Sequence, residues 1–208
     1  MNARPMNEAT SDFGNRIAES KEQKVPAADA RAVAKLFVAF LKPHCSRIVV
    51  AGSLRRRKPA VNDIEILFVP SFVAEPDPGD FFGAMRLGNR TERAIAALLA
   101  GGVMAKRLNV NGHEAWGEKN KLGVHLESGI AVDLFTATLE NWWNYLVCRT
   151  GGADNNIRIC NAAIARGWKW NPYGAGFSRE NPGEKRVVQS EREVFAFVGL
   201  PYLEPWER

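Results

Sequence analysis

Residues 51–69 read Ala-Gly-Ser-Leu-Arg-Arg-Arg-Lys-Pro-Ala-Val-Asn-Asp-Ile-Glu-Ile-Leu-Phe-Val. The β-branched residues just before this stretch predict a strand that ends at Val50 and leads into a Gly52-Ser53 turn. Four consecutive cations, Arg55 to Lys58, follow the turn, and a second strand then begins with two acids, Asp63 and Glu65. Because successive side chains on a strand point to opposite faces, these two carboxylates are predicted to share one face.

This order of residues favours phosphoryl-transfer chemistry. Two neighbouring carboxylates repel each other unless a cation lies between them, and Mg²⁺ uses such ligands when it also binds substrate phosphates. The backbone amides and small hydroxyl of Gly52-Ser53 can approach a phosphate because no bulky side chain intervenes. Taken singly, a Gly-Ser pair is usually a turn, an Asp-x-Glu strand a solvated face, and a basic run an exposed patch. Together they predict a nucleotidyltransferase site.

The distribution of charge points to a polyanionic substrate. The chain has 208 residues and a formal net charge of +5. No acidic residue lies between Asp29 and Asp63, whereas eight cations do. A segment of one sign beside a carboxylate pair suits an approaching polyanion. The eight cations are Arg31, Lys35, Lys42, Arg47, Arg55, Arg56, Arg57 and Lys58.

Cysteine use and hydropathy set the expected compartment. Cys45, Cys148 and Cys160 are odd in number and lack CxxC spacing, which indicates neither a disulfide framework nor a zinc site. A reducing, intracellular and cytoplasmic location is therefore expected. The longest apolar run, residues 94–105, is too short to cross a bilayer, so no membrane partner is expected. Residues 1–26 form a polar, aperiodic segment that is predicted to be disordered.

Periodicity predicts alternating helices and strands. Apolar residues at helical spacing predict a helix over residues 27–42, which Pro43 ends. Glycines and prolines predict a surface loop over residues 75–88, and Thr91-Glu92 is predicted to cap the next helix. The other predicted elements are the end of that helix at Leu99, strands over residues 104–110, 121–126 and 130–136, helices over residues 140–149 and 153–166, and a short helix that Ser190 caps with Glu193 and Gly199 ends.

The strand over residues 130–136 carries a third acid. Asp133 lies in the middle of the apolar run Ala-Val-Asp-Leu-Phe. Buried carboxylates are rare unless they are paired or bind a metal. Alone, Asp133 could form a salt bridge to an arginine. Beside Asp63 and Glu65, it is predicted to be the third member of one metal-binding set.

The order of these motifs resembles the DNA polymerase X family over about residues 27–208. The resemblance implies an α+β fold with a nucleotidyltransferase palm over residues 27–138, in which helices flank a mixed β-sheet. A small, mainly helical, thumb-like subdomain over residues 139–208 follows. The chain resembles a reduced member of the family that lacks the lyase and helix-hairpin-helix domains. The most specific matches are Gly52-Ser53-Leu54-Arg55-Arg56, Asp63-Ile64-Glu65, Val132-Asp133-Leu134, Thr150-Gly151 with Asn156, and the tail from Ser190 to Pro205.

The resemblance also implies roles for individual residues. Asp63, Glu65 and Asp133 match the catalytic acids that bind two Mg²⁺ ions, with Mn²⁺ as the alternative. The implied partners are nucleoside triphosphates and primer-template or gapped DNA, for an enzyme expected to be monomeric. The substrate-binding positions are Gly52, Ser53 and Arg56 at the triphosphate, Asn62 at the terminal phosphate, Cys148, Arg149 and Gly151 near the sugar, and Asn156 at the minor-groove edge of the incoming base.

Four departures from the family pattern leave three functions open. Glu65 stands where the family normally has Asp, and Cys148-Arg149 replaces an aromatic pair. Cys160 replaces a template-contacting arginine, and Ala131 replaces a basic residue that would orient the third acid. The first hypothesis is a gap-filling DNA polymerase of repair. The alternatives are a template-independent terminal transferase, or a nucleotidyltransferase with a non-DNA acceptor, and a catalytically weak nucleic-acid-binding module.

Overall fold

Helices and short strands alternate in the computed structural model, which describes residues 24–80, 82–180 and 183–208. The fold is α+β, as predicted. The strands are β1 (Val25–Pro26), β2 (Cys45–Val50), β3 (Ala60–Val61), β4 (Asp63–Pro70), β5 (Phe72–Pro76), β6 (Met85–Asn89), β7 (Met104–Lys106), β8 (Asn120–His125), β9 (Ala131–Thr136), β10 (Lys169–Trp170), β11 (Gly176–Arg179) and β12 (Glu184–Val187). The helices are α1 (Ala27–Leu41), α2 (Gly52–Arg55), α3 (Arg90–Ala100), α4 (Trp142–Thr150), α5 (Ala153–Ile164) and α6 (Glu191–Phe197), with 3₁₀ turns at Lys42–His44 and Pro205–Glu207.

A five-stranded mixed sheet organises the first part of the chain. Its order is β2-β4-β9-β8-β7, with β4 and β9 parallel and the other neighbours antiparallel. On one face, Ile64, Ile66 and Leu134 pack against α1 and α3. On the other face, Leu67 and Phe135 pack against α4. Both faces of β4 and β9 are therefore covered, which explains why their sequences are apolar almost throughout.

The first two long helices begin and end for identifiable reasons. Helix α1 buries Ala30, Phe37 and Leu41 at helical spacing, so the prediction over residues 27–42 is confirmed. The predicted cap of α3 at Thr91-Glu92 is wrong, because the N-cap is Asn89. The Asn89 side chain accepts hydrogen bonds from the Thr91 and Glu92 amides at 3.0 and 3.1 Å. The Thr91 hydroxyl is buried and donates instead to the His44 carbonyl.

Part of the predicted surface loop is a β-hairpin. Strands β5 and β6 pair antiparallel from Phe72–Asn89 to Pro76–Met85, so the prediction of a loop over residues 75–88 is corrected. Pro76 is the last residue of β5, and Gly79 and Gly83 fall in the connection, where they do not interrupt the ladder. Strand β7 is shorter than predicted and ends at Lys106.

The last third of the chain has its own core. Helices α4, α5 and α6 pack with the antiparallel β10-β11-β12 sheet around Val147, Ile159 and Phe195. This part is thus less purely helical than expected. Ser190 caps α6 as predicted, because its hydroxyl accepts a hydrogen bond from the Glu193 amide at 3.1 Å.

Residues 1–23 of the predicted disordered segment lie outside the described residues. At the end of that segment the prediction is wrong, because Val25–Pro26 forms strand β1, which pairs antiparallel with β3 just before α1 begins. Within the described ranges, we find no helix that combines the length and the apolar character needed to cross a membrane.

Candidate active site

The register of β4 and β9 brings the three predicted acids together. Glu65 lies directly beside Asp133, and Asp63 lies beside Ala131 on the neighbouring strand. Alternation along the strands places all three carboxylates on the face that packs against α4. Asp133 is buried, with 6% of its surface exposed, and the other two acids are half-buried. The predicted triad is therefore one cluster in space.

Burial and mutual repulsion make these acids reluctant to ionise together. Burial raises the pKa of Glu65 to about 7, and the charge of Asp63 adds to this effect. Burial also raises the pKa of Asp133 to about 6, although the Arg107 guanidinium opposes the increase. Carboxylates that repel one another in this way are stabilised in their charged form by a cation placed between them.

Arg107 supplies the basic partner that Ala131 cannot. Its Nη2 atom donates to both carboxylate oxygens of Asp133, at 2.6 and 2.7 Å, and both side chains are largely buried. The Arg107 amide pairs with Leu122, which is itself paired with Asp133, so the three residues form a row across the sheet. Sequence reasoning missed Arg107 because only this β7-β8-β9 order brings it to the acid. A lone arginine after an apolar strand is a weak signal.

Arg149 occupies the space next to Glu65. Its Nη1 atom lies 3.4 Å from Oε1 of Glu65, and its guanidinium stacks over the Phe135 ring at 3.7 Å. Position 149 is where the family resemblance predicts an aromatic residue near the sugar. In this structure the cation instead compensates a carboxylate of the acid cluster.

Gly52 is required by both backbone conformation and space. It adopts the left-handed region, with φ of 59°. A Cβ atom at this position would overlap Oε2 of Glu65. Glycine therefore allows the α2 turn to lie directly against the acid cluster. The longer Glu65 side chain reaches this turn.

The predicted triphosphate-binding residues contact the end of α4. Arg56 Nη2 donates to Oγ of Ser53 at 3.2 Å. Its Nη1 donates to the carbonyls of Thr150 at 2.5 Å and Gly151 at 3.2 Å. The guanidinium is thereby held in place beside the serine hydroxyl. Asn62 is exposed and immediately precedes β4.

The remaining predicted substrate-binding residues form a second group at the start of α5. Asn156 Nδ2 donates to the Cys148 carbonyl at 3.0 Å. A Cβ atom at Gly151 would overlap Oδ1 of Asn156, so glycine permits this close packing. Within the described residues, Asn156 Oδ1 is buried without a hydrogen-bond partner. Cys148 is a free, half-buried thiol.

The basic run after Ser53 is only partly an exposed patch. Arg55 forms two hydrogen bonds to the Glu191 carboxylate, at 2.8 and 2.7 Å. Arg208 donates to the same carboxylate at 3.0 Å. Arg57 stacks on the Trp206 ring at 3.9 Å. These contacts join the α2 turn to the C-terminal residues.

The chemistry of the acid cluster fits Mg²⁺, whose preferred ligands are carboxylate oxygens. Within residues 24–80, 82–180 and 183–208, no group of three or more potential ligands is arranged to hold a metal as it stands. Arg107 and Arg149 contact two of the acids in this conformation. Burial is the main cause of the raised pKa values of Glu65 and Asp133, and a divalent ion bound between the acids would favour their charged forms.

These pKa values predict the pH dependence of the metal-free protein. The pKa of Glu65 rises on folding from 4.5 to about 7, so its contribution to stability is present below the unfolded value and is lost as pH rises through 7. We therefore expect the melting temperature in chelator to fall between about pH 5 and pH 8, by roughly 3 °C or more. Differential scanning calorimetry would measure this change.

Glu65→Gln is the matched control, because the amide does not titrate. The stability of the variant relative to the wild type should rise over the same pH interval. Mg²⁺ at about pH 8 should raise the melting temperature of the wild type more than that of the variant. A difference between the two proteins that does not change with pH would contradict the raised pKa.

Comparison with known proteins finds similarity to a polymerase domain family and to a bacterial polymerase. The DNA polymerase beta thumb family matches residues 145–208, which include α5 and α6. The chain is 27% identical over 162 residues to the DNA polymerase/3'-5' exonuclease PolX of Bacillus subtilis (strain 168). That alignment covers 78% of this chain and 24% of the relative, so the chain spans about a quarter of the relative's length. Together these two matches support membership of the chain in the DNA polymerase X family.

Proposed function

We propose that the chain is a DNA polymerase that adds nucleotides to a DNA 3′-hydroxyl by two-metal phosphoryl transfer, and that it fills gaps during repair. The observation that carries this proposal is the register that places Glu65 beside Asp133, on the same face as Asp63. The proposal assigns residues 27–138 to the palm and residues 139–208 to the subdomain that covers the nucleotide. The thumb match over residues 145–208 supports the second assignment.

Three acids would hold the metal ions in this proposal. Asp63, Glu65 and Asp133 provide carboxylate oxygens for two Mg²⁺ ions, with Mn²⁺ as the alternative. When bound, such ions activate an attacking hydroxyl and neutralise phosphate charge. Arg107 fixes the orientation of Asp133 through both of its oxygens. Arg149 forms an ion pair with the Glu65 carboxylate at 3.4 Å.

The α2 turn would orient the triphosphate. Ser53 offers a hydroxyl, and Arg56 offers a guanidinium that the carbonyls at the end of α4 already hold in position. A charged donor that is fixed before the substrate arrives stabilises phosphate charge without reorganisation. Gly52 leaves the space in which the turn and the acids meet. The Asn62 backbone would meet the terminal phosphate.

The nucleoside would lie against the ends of α4 and α5. Asn156 has a buried carbonyl oxygen with no partner within the described residues, and its amide nitrogen is held by the Cys148 carbonyl. We assign it to the minor-groove edge of the incoming base. Cys148, Arg149 and Gly151 would lie near the sugar.

One observation favours a template-independent enzyme as the second candidate. Cys160, which stands where the family resemblance predicts a template-contacting arginine, packs against the C-terminal core as a half-buried thiol. It cannot donate the charged hydrogen bonds of a guanidinium. The third candidate is a weak nucleic-acid-binding module. It is less favoured because Arg107 supplies the cation that orients Asp133, which the alanine at position 131 cannot do.

Primer extension tests these candidates. With Mg²⁺ and a labelled primer on one-nucleotide-gapped DNA, we expect addition of the one nucleotide that is complementary to the template. The same primer without template should be extended at least tenfold more slowly, about 1.4 kcal/mol in transition-state stabilisation. Equal extension without template would support the terminal transferase instead. DNA binding without any extension would support the binding module.

A further inference from the structure

A basic groove lies beside α1, on the face of the sheet opposite the acid cluster. Its volume is about 600 Å³. Arg31, Lys35 and Lys42 line it together with the apolar side chains of Val38, Val50 and Leu54. Arg55, which also lines it, is already neutralised by Glu191. None of these lining residues belongs to the proposed substrate site.

The three cations form a nearly straight stripe, in which Arg31 and Lys35 lie on α1 and Lys42 caps its C-terminal end with helical backbone angles. With 3.6 residues per turn, Lys35 and Lys42 lie about 40° and 20° around the helix axis from Arg31. The stripe extends for roughly 16 Å at 1.5 Å per residue. Asp29, the acid in the first turn of this helix, lies about 160° away on the other side. One edge of α1 therefore carries positive charge only.

This stripe is not compensated within the protein. All three side chains are exposed, and among the described residues none of them forms an ion pair. Arg31 and Lys35 stand four residues apart, a spacing at which like charges destabilise a helix. A surface that served only solubility would mix both signs of charge. An external polyanion would offset the repulsion.

We propose that this groove binds the phosphodiester backbone of a nucleic-acid strand outside the acid cluster. Phosphates advance about 3.4 Å per nucleotide along one strand of a duplex, so a stripe of roughly 16 Å spans about five of them. The three cations match such a row of charges, whereas the apolar floor suits the carbon atoms of the sugars. The inference rests on the proposed function only in taking nucleic acid as the polyanion.

The test compares two variants with the same net charge. The groove variant carries Arg31→Gln, Lys35→Gln and Lys42→Gln. The control carries Arg90→Gln, Lys169→Gln and Lys185→Gln, which are exposed cations away from the groove and from the proposed site. Fluorescence anisotropy with gapped DNA, in chelator and over a range of salt concentrations, gives the affinity and its salt dependence. Melting temperatures establish that both variants are folded.

We expect the groove variant to bind gapped DNA at least tenfold more weakly at low salt. The slope of log affinity against log salt should fall by roughly 2 to 3, because each phosphate contact contributes about 0.9. In the control, the decrease in slope should be less than half as large. Turnover of the groove variant at saturating DNA should equal that of the wild type.

Three results would overturn the inference. The first is that the wild type does not bind DNA, and the second is that the two variants lose the same DNA affinity. The third is that poly-glutamate displaces the labelled DNA as well as unlabelled DNA does, which would indicate an acidic peptide as the ligand. These results are separate from failure of the proposed function, because binding is measured without metal or nucleotide. A wild type that binds DNA through the groove but extends no primer would refute only the proposed activity.

Discussion

Replacing Asp133 with Asn should lower turnover by about a hundredfold or more while leaving the protein folded. A loss of this size is typical when one preorganised electrostatic group is removed from an active site. The amide has nearly the same shape as the carboxylate and still offers one oxygen to Arg107. It carries no charge, however, and binds a divalent cation poorly. Single-turnover primer extension would measure the loss, and circular dichroism would monitor the fold. A folded variant with full activity would remove Asp133 from the proposed site.

Glu65→Asp is the companion substitution. It keeps the charge, shortens the side chain by one methylene group and withdraws the carboxylate from the Gly52 turn. Higher activity would show that the longer acid limits the reaction. A change in preference between Mg²⁺ and Mn²⁺ would show that Glu65 tunes the choice of metal.

The second large effect is expected from Arg107→Met. Burial already raises the pKa of Asp133 to about 6, and Arg107 works against that increase. Without the guanidinium, the pKa of Asp133 should rise further, so the acid would ionise only at higher pH. We expect turnover near neutral pH to fall tenfold or more and the acid limb of the pH-rate profile to move upward.

Two controls separate this effect from simple destabilisation. Removing one partner of a buried ion pair costs about 3–5 kcal/mol, so the melting temperature must be measured alongside activity. Arg107→Lys keeps the charge and should retain most of the wild-type pH profile. In the Asp133→Asn background, Arg107→Met should cost little further turnover, because both changes act on one unit. An unchanged pH profile in Arg107→Met would indicate a role in folding alone.

Local patterns were sufficient to predict the elements that carry the acids. Alternation placed Asp63 and Glu65 on one face, and an acid within an apolar strand marked Asp133; β4 and β9 confirm these strands. Each inference needs only a few consecutive residues, because a strand repeats every two positions. Helix α1 and the Ser190 cap were predicted correctly for the same reason.

Contacts between distant segments could not be predicted in the same way. Arg107 reaches Asp133 only because β8 lies between β7 and β9. The order of strands in a sheet cannot be predicted from local periodicity. The position of Arg149 against Glu65 likewise depends on how α4 packs on the sheet. In the β5-β6 hairpin, glycines and prolines suggested a loop, although most of them lie in the connection between two paired strands.

The pair between Arg55 and Glu191 has a further consequence for how the chain folds. These residues are 136 positions apart, and their hydrogen bonds join the α2 turn to helix α6. Closing so long a loop carries an entropic cost, which grows as the logarithm of its length, and distant contacts slow folding. Helices α4 and α5 need only local contacts, whereas the acids meet only after β4 and β9 have paired across 68 positions. We infer that helical structure forms early in refolding and that the acid cluster is assembled later, so the recovery of activity should lag behind the recovery of helix.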